Sequence, residues 1–229
     1  MKDGQKPPLQ NPLQNKVFPD GSIRAVRMRG LFMGNRGIIH DHHTRTLHPV
    51  TRWTHSAWIS CLTEFKGRKR TLMDKRKYTE LFFLDEVTAL SAGHRPCYEC
   101  RRQAANSFSE AWQTAHAMDA RPTAPEMNRT LHAERKTVRA KRIHHYEWGD
   151  LPDGAMIQEP GPNEGASAGR FLAKRGGNPV LWTIHGYDTV QKTMNIAPAQ
   201  VCDVLTPPSI IASLQAGYQP QWHPSIDAL

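Results

Sequence analysis

The sequence contains no long apolar run, few cysteines and a deficit of acidic side chains. No stretch approaches the roughly 18 apolar residues that a membrane-spanning helix needs. The opening residues, Met1 to Pro8, lack the apolar core of a signal peptide, so a soluble, cytoplasmic protein is expected, nucleoid-associated in a bacterium. Four cysteines, Cys61, Cys97, Cys100 and Cys202, are too few and too unevenly spaced for a secreted disulfide framework. Apolar residues make up 38% of the chain, low for a globular protein but too high for a wholly disordered one. The 229 residues suffice for one large domain or two small ones.

What is present in excess is positive charge. Thirty Lys and Arg oppose 21 Asp and Glu, and the excess is concentrated. Residues 24–77 carry a net +10 and residues 121–145 a net +5, whereas residues 151–229 carry −2. Such segregation suits a surface that meets a polyanion. DNA is the expected partner and RNA an alternative. No amphipathic anchor points to a membrane, and nothing specifies an oligomeric state.

Local patterns predict an α+β protein: an antiparallel sheet with a zinc-knuckle module, two longer helices and a C-terminal β-hairpin region. Residues 1–16, polar and proline-containing, read as a disordered tail. Residues 17–148 read as a basic, zinc-containing, nucleic-acid-binding domain. Gly, Pro and Ala make 149–169 a linker or long loop, and 170–229 a smaller β-rich region packing on the first. Alternation over Ser22–Gly30 and the run Trp58–Phe65 predict strands, with Met33–Gly37 as a turn. Leu81–Leu84 predicts a short strand, and Asp85–Ala92 a short helix with acids in its first turn and Gly93 as its cap. Residues 101–118 predict a helix, and Thr123 with Glu126 has capping-box spacing for another over about 125–145. Gly176-Gly177-Asn178-Pro179 marks a hairpin between two apolar runs, Val201–Leu205 another strand, and Pro207-Pro208 the start of a helix ending near Gly217.

The most informative stretch is Gly93-His94-Arg95-Pro96-Cys97-Tyr98-Glu99-Cys100-Arg101. Two cysteines separated by two residues can present both sulfurs to one metal from a single turn, and zinc then usually takes two further ligands. Cys61, on a preceding strand, is the natural third. A thiol–disulfide pair is the competing reading, but it favours a helix start after a strand, and here the pair follows a helix and its glycine cap.

Phe82-Phe83, Asp85-Glu86-Val87-Thr88-Ala89 and Ala92 through Arg101 together resemble the Ada-type metal-binding domain, over roughly residues 58–102. The resemblance implies zinc held by the Cys-x-x-Cys turn and binding to DNA. In that family a zinc-bound thiolate can serve as acceptor of a methyl group from a methylated DNA phosphate. The family pattern has two upstream cysteines close together where this chain offers only Cys61, and His94 stands where an aromatic residue is usual. The fourth ligand is therefore open: His55, one of His40, His42, His43 or His48, or Cys202.

His40-Asp41-His42-His43 and His48 could form a second metal site or a basic loop touching phosphates. On the helix predicted after Thr123, Glu134 shares the apolar face with Met127, Leu131 and Val138. A carboxylate there must be paired or serve a site. Arg129, His132, Arg135, Lys136, Arg139 and Arg142 form a basic stripe on the other side. His132-Ala133-Glu134 with Pro96-Cys97-x-x-Cys100 also spells the two halves of a zinc deaminase signature, in the wrong order.

These observations lead to a zinc-stabilised DNA-binding protein acting in DNA repair or processing. Zinc would be held by Cys61, Cys97, Cys100 and, as fourth candidate, His55. Phosphate contacts would come from Arg68, Lys69, Arg70, Arg101, Arg102, Arg129, Arg135, Lys136 and Arg139, with Trp53 and Trp58 available to stack on bases. One alternative is a metal-dependent nuclease with His132 as base, Glu134 or Asp41 as ligand and a second divalent ion, Mg or Mn. Another is a structural or regulatory zinc protein that binds an acidic protein partner.

Overall fold

The computed structural model describes residues 12–68, 71–75, 77–137, 140–159, 169–190 and 196–229. The fold is α+β, with two six-stranded sheets and four α-helices among the described residues. The first sheet is built from β1 (Lys16–Val17), β2 (Ile23–Arg24), β3 (Phe32–Asn35), β6 (Ile59–Leu62), β7 (Leu81–Phe83) and β8 (Arg95–Pro96). Between β3 and β6 the short strands β4 (His40–Asp41) and β5 (Thr46–Leu47) form a separate hairpin. The first sheet runs β2-β1-β7-β3-β6-β8, and two of its pairings, β1 with β7 and β6 with β8, are parallel. The second sheet is antiparallel throughout, in the order β13-β12-β11-β10-β14-β9. Its strands are β9 (His144–Glu147), β10 (Met156–Glu159), β11 (Arg170–Arg175), β12 (Asn178–Thr183), β13 (Gly186–Thr189) and β14 (Val201–Val204).

Helix α1 (Glu86–Ser91) lies between the sheets, and all six of its residues are buried. Ala89 packs with Phe32, Leu81 and Phe83 of the first sheet, and Val87 with Met156, Phe171 and Trp182 of the second. Leu90 faces a third layer, where Phe108 and Trp112 of α2 (Arg102–Ala115) and Leu131 of α3 (Ala124–Glu134) meet Ile210 and Leu214 of α4 (Pro208–Gln215). The buried polar side chains of α1, Glu86, Thr88 and Ser91, must find hydrogen-bond partners inside this packing. No helix among the described residues is long and apolar enough to cross a membrane.

Several local signals act as their chemistry requires. Thr123 and Glu126 form the reciprocal capping box of α3. Asp85 caps α1 by accepting from Thr88 N at 2.8 Å, and Gly93 follows with φ of 83°, a left-handed conformation. The tight turn between β11 and β12 places Gly176 and Gly177 both at positive φ.

Four expectations need correction. Met33–Gly37 is not simply a turn, because β3 occupies most of it and pairs with both β6 and β7. A Cβ at Gly34 would run into Ile59 O and the Phe83 ring, so glycine there serves close strand packing. Of Ser22–Gly30 only Ile23–Arg24 is strand. The segment 149–169 contains β10, an inner strand of the second sheet. Finally, α3 ends at Glu134 rather than near residue 145. Arg135 caps it, Lys136 pairs with Lys141, and the chain enters β9 at His144.

The halves are joined by polar as well as apolar contacts. Glu86 accepts from Arg101 Nη2 at 2.6 Å, from Tyr218 Oη at 2.6 Å and from Gln221 N at 2.9 Å. Asp85 accepts from Tyr187 Oη at 2.9 Å and His223 N at 3.1 Å. Because Arg101 and Glu86 are both buried, removing one leaves the other charge uncompensated. Glu86→Ala is expected to lower unfolding free energy by about 3–5 kcal/mol and Tyr218→Phe by about 1–2 kcal/mol, as measured by urea denaturation.

Candidate metal centre

Strand alternation places the first thiol. Ser60 is buried towards Arg101, while Ile59 and Cys61 point to the other face of β6. The parallel pairing of Ile59 with Arg95 and Ser60 with Pro96 carries the chain to Cys97 beside Cys61, and Cys97 N donates to Ser60 O at 3.0 Å. A single turn follows, closed by Arg101 N donating to Cys97 O at 3.0 Å, which brings Cys100 to the same point. Glu99 N donates to Cys97 Sγ and Leu62 N to Cys100 Sγ, each at 3.4 Å.

The three sulfurs lie within 4.8 Å of one another. Tetrahedral zinc–thiolate coordination, with bonds of about 2.3 Å, calls for sulfur separations of roughly 3.8 Å. The group can therefore hold a metal ion, and its soft donor set is compatible with zinc. Its surroundings favour one early deprotonation. Hydrogen bonds from Cys61 and from backbone amides draw Cys97 well below the usual thiol range, against the effect of burial. Cys61 is pushed up by its hydrogen bond to Cys97 and by burial, and Cys100 is pushed up by burial.

The thiols open on a cavity of about 550 Å³ whose other walls include Arg68, Lys77, Tyr78, Glu80 and Glu99. Glu80 Oε2 accepts from Met73 N at 2.8 Å, and Glu99 pairs with Arg68 at 2.5 Å. Three thiolates facing a cavity leave a fourth coordination position for an exchangeable ligand. Tyr78 and Glu80 bear on this site although no motif marks them; they arrive with the chain that leads into β7.

The Cys-x-x-Cys turn stands between β8 and α2, so its setting is a strand followed by a helix start. That placement would also suit a redox pair; the third thiol is what favours a metal.

The other candidate ligands lie elsewhere. His55 is exposed and outside the three-thiol group. Cys202 is on β14 and donates to Gln200 O. His40 Nδ1 meets Thr79 Oγ1 at 2.7 Å, the His42 and His43 rings lie 3.8 Å apart with their planes tilted by 41°, and Asp41 Oδ1 accepts from the amides of His43 and Thr44. The three thiols are the only candidate metal-binding group of three or more such side chains among the described residues.

Two expected phosphate contacts are corrected by burial. Arg101 is committed to Glu86 and Ser60, with its guanidinium 4.2 Å from the Phe32 ring centroid. Arg135 is 2% exposed and donates to Gly93 O and Ser56 O. Arg102 and Arg129 are exposed, Arg68 is at the cavity rim, and Lys136 lies over the Trp53 ring. Lys69, Arg70 and Arg139 lie outside the described residues.

Glu134 accepts from Ser209 N at 3.1 Å and Ser209 Oγ at 2.6 Å, so its carboxylate serves the first turn of α4. His132 contacts Arg135 Nη2 through Nδ1 at 2.8 Å, and burial with the neighbouring Arg135 and Lys136 lowers its pKa to about 4. That value leaves His132 neutral at pH 7 but a weak base. Its imidazole should titrate near pH 4 when followed by NMR, well below the ordinary histidine midpoint.

The metal site has its own test. The protein is expected to bind about one zinc per chain by metal analysis. Each of Cys61→Ser, Cys97→Ser and Cys100→Ser should lower affinity by more than the roughly 10–100-fold that loss of an outer-shell partner costs. Cys202→Ser and His55→Ala should not lower it.

Compared with known protein families, curated proteins and solved structures, the chain has no significant match.

Proposed function

We propose that this chain is a zinc-stabilised DNA-binding protein that acts in DNA repair or processing. The observation that carries the reading is the three-thiol group opening on a cavity lined by Arg68, Lys77, Glu80 and Glu99, in the segment that resembles the Ada-type domain. Bound zinc would lock β6 to the Cys97–Cys100 turn and supply an electrophilic centre with one exchangeable position. The chain's own residues would do the rest. Arg68, Arg102 and Arg129 would contact phosphates, and Glu99, by pairing with Arg68, would hold that guanidinium at the rim of the thiol cavity. The concentration of positive charge in residues 24–77 supports the same partner. Its location would be wherever DNA is accessible, in a bacterium the nucleoid.

A gel shift on the zinc-loaded protein across a salt series tests this. Affinity for duplex DNA should fall linearly in log–log form as salt rises, and Arg102→Ala and Arg129→Ala should each reduce the slope by about 1. Cys97→Ser should weaken binding. No shift at low salt would overturn the reading in favour of an acidic protein partner.

A further inference from the structure

Trp58 and Cys61 have opposite parity on and beside β6, so they face opposite sides of the first sheet. On the side away from the thiols, two guanidiniums lie on Trp58: Arg36 at 4.1 Å and Arg135 at 3.7 Å from the ring centroid. Both arginines are buried, 3% and 2% exposed. They line a cavity of about 380 Å³ together with Arg52, Lys136, Lys141, Trp53 and the turn Asp20–Ser22. Among the described residues, five basic side chains thus surround one space with a single acid, Asp20, in its wall.

These cations are not neutralised by one another's neighbours. Arg36 donates from Nη1 to Gly21 O at 2.9 Å, and its Nε is 3.5 Å from His94 Nε2. Arg135 spends its Nη atoms on Gly93 O, Ser56 O and His132. Lys141 Nζ donates to Ser91 O at 2.6 Å. These partners are carbonyls and imidazoles, and no carboxylate among the described residues bonds to any of the three. Arg36 Nη2 and Arg135 Nε are buried with no hydrogen-bond partner. Burial lowers the pKa of Arg36 to about 9, of Arg135 to about 8 and of Lys141 to about 7; neighbouring cations add to the effect, while Asp20 opposes it at Arg36 and Lys141, and Glu134 at Lys141. Asp20 and Glu134 offset only part of the cost of enclosing these cations, and an anion in the cavity would relieve the rest.

We propose that this cavity is a binding site for a phosphomonoester, with Arg36, Arg52, Arg135, Lys136 and Lys141 around the phosphoryl group and Trp53 beside the group it carries. Arg36 Nη2 and Arg135 Nε can each donate to a phosphate oxygen, and a doubly charged ligand offsets several cations at once. The cavity is at the small end of the usual ligand range, large enough for more than a bare ion. The same chemistry is offered by a free nucleotide and by the phosphorylated end of a nucleic-acid strand. Only the strand-end form rests on the DNA-binding reading.

Calorimetric titration of the zinc-loaded full chain at constant ionic strength tests the site. The probes are inorganic phosphate, a deoxynucleoside 5′-monophosphate, and one oligonucleotide with either a 5′-phosphate or a 5′-hydroxyl. Saturable binding of phosphate and of the nucleotide is expected. Arg52→Ala and Lys136→Ala, both at less buried positions, should each weaken it by about tenfold, the value of one charge-assisted hydrogen bond. Arg36→Met should weaken it further while a thermal melt confirms folding. A preference of at least about tenfold for the 5′-phosphorylated oligonucleotide supports the site and makes a strand end its ligand. Equal oligonucleotide affinities with saturable nucleotide binding support the site and make a free nucleotide its ligand. The proposal is overturned if neither phosphate nor nucleotide binds saturably, or if binding survives unchanged in all three variants. The 5′-hydroxyl oligonucleotide reports separately on general DNA binding, so failure of the pocket and failure of the DNA-binding reading are distinguishable.

Discussion

The buried pair between Arg101 and Glu86 is the interaction on which the rest depends. Arg101 immediately follows Cys100, and its guanidinium reaches Glu86 on α1 and Ser60 Oγ on β6. Glu86 in turn holds Tyr218 and Gln221 near the C-terminus. One side chain therefore ties the Cys97–Cys100 turn to the strand that bears Cys61, to the helix between the sheets and to the far end of the chain. Such a pair repays its desolvation only when both charges are fully hydrogen-bonded. Here the carboxylate has three donors, and the guanidinium also lies against the Phe32 ring.

Strand β6 separates two chemistries. On one side lie the sulfurs and a cavity edged by Arg68 and Lys77; on the other lie Trp58 and the buried cations. A strand can do this because successive side chains point to opposite faces. The basic excess visible in the composition is consequently of two kinds. Some of it is solvated, as at Arg102 and Arg129; some is enclosed, as at Arg36 and Arg135. The acids of the C-terminal third do not cancel the enclosed part. Glu159 pairs with Arg170 and Asp203 with His145 at the surface of the second sheet.

Much of the local structure was readable because its causes are local. The Thr123–Glu126 box, the Gly176–Gly177 turn and the cap at Gly93 each depend on residues within a few positions of one another. The link from Cys97 and Cys100 to Cys61 was also inferable, since a close pair of thiols calls for further donors and a strand cysteine was available. The errors arose where a distant segment sets a residue's environment. Helical spacing puts Arg135 on a basic stripe, yet Gly93 and Ser56 draw it into the interior and help end α3. Glu134 does stand out on an apolar face, but its partner is the amide and hydroxyl of Ser209, far along the chain.

The sequence alone determined the class of the protein, its concentration of positive charge, most helix and turn signals, and the thiols able to share an ion. These follow from residue type and short spacing, which survive without knowledge of the fold. Tertiary structure alone decided which arginines meet solvent, what Glu134 and His132 touch, and that Arg36, Arg135 and Lys141 converge on one cavity. The physical reason is that burial and ionic environment are properties of contacts between remote segments, and no local pattern encodes them.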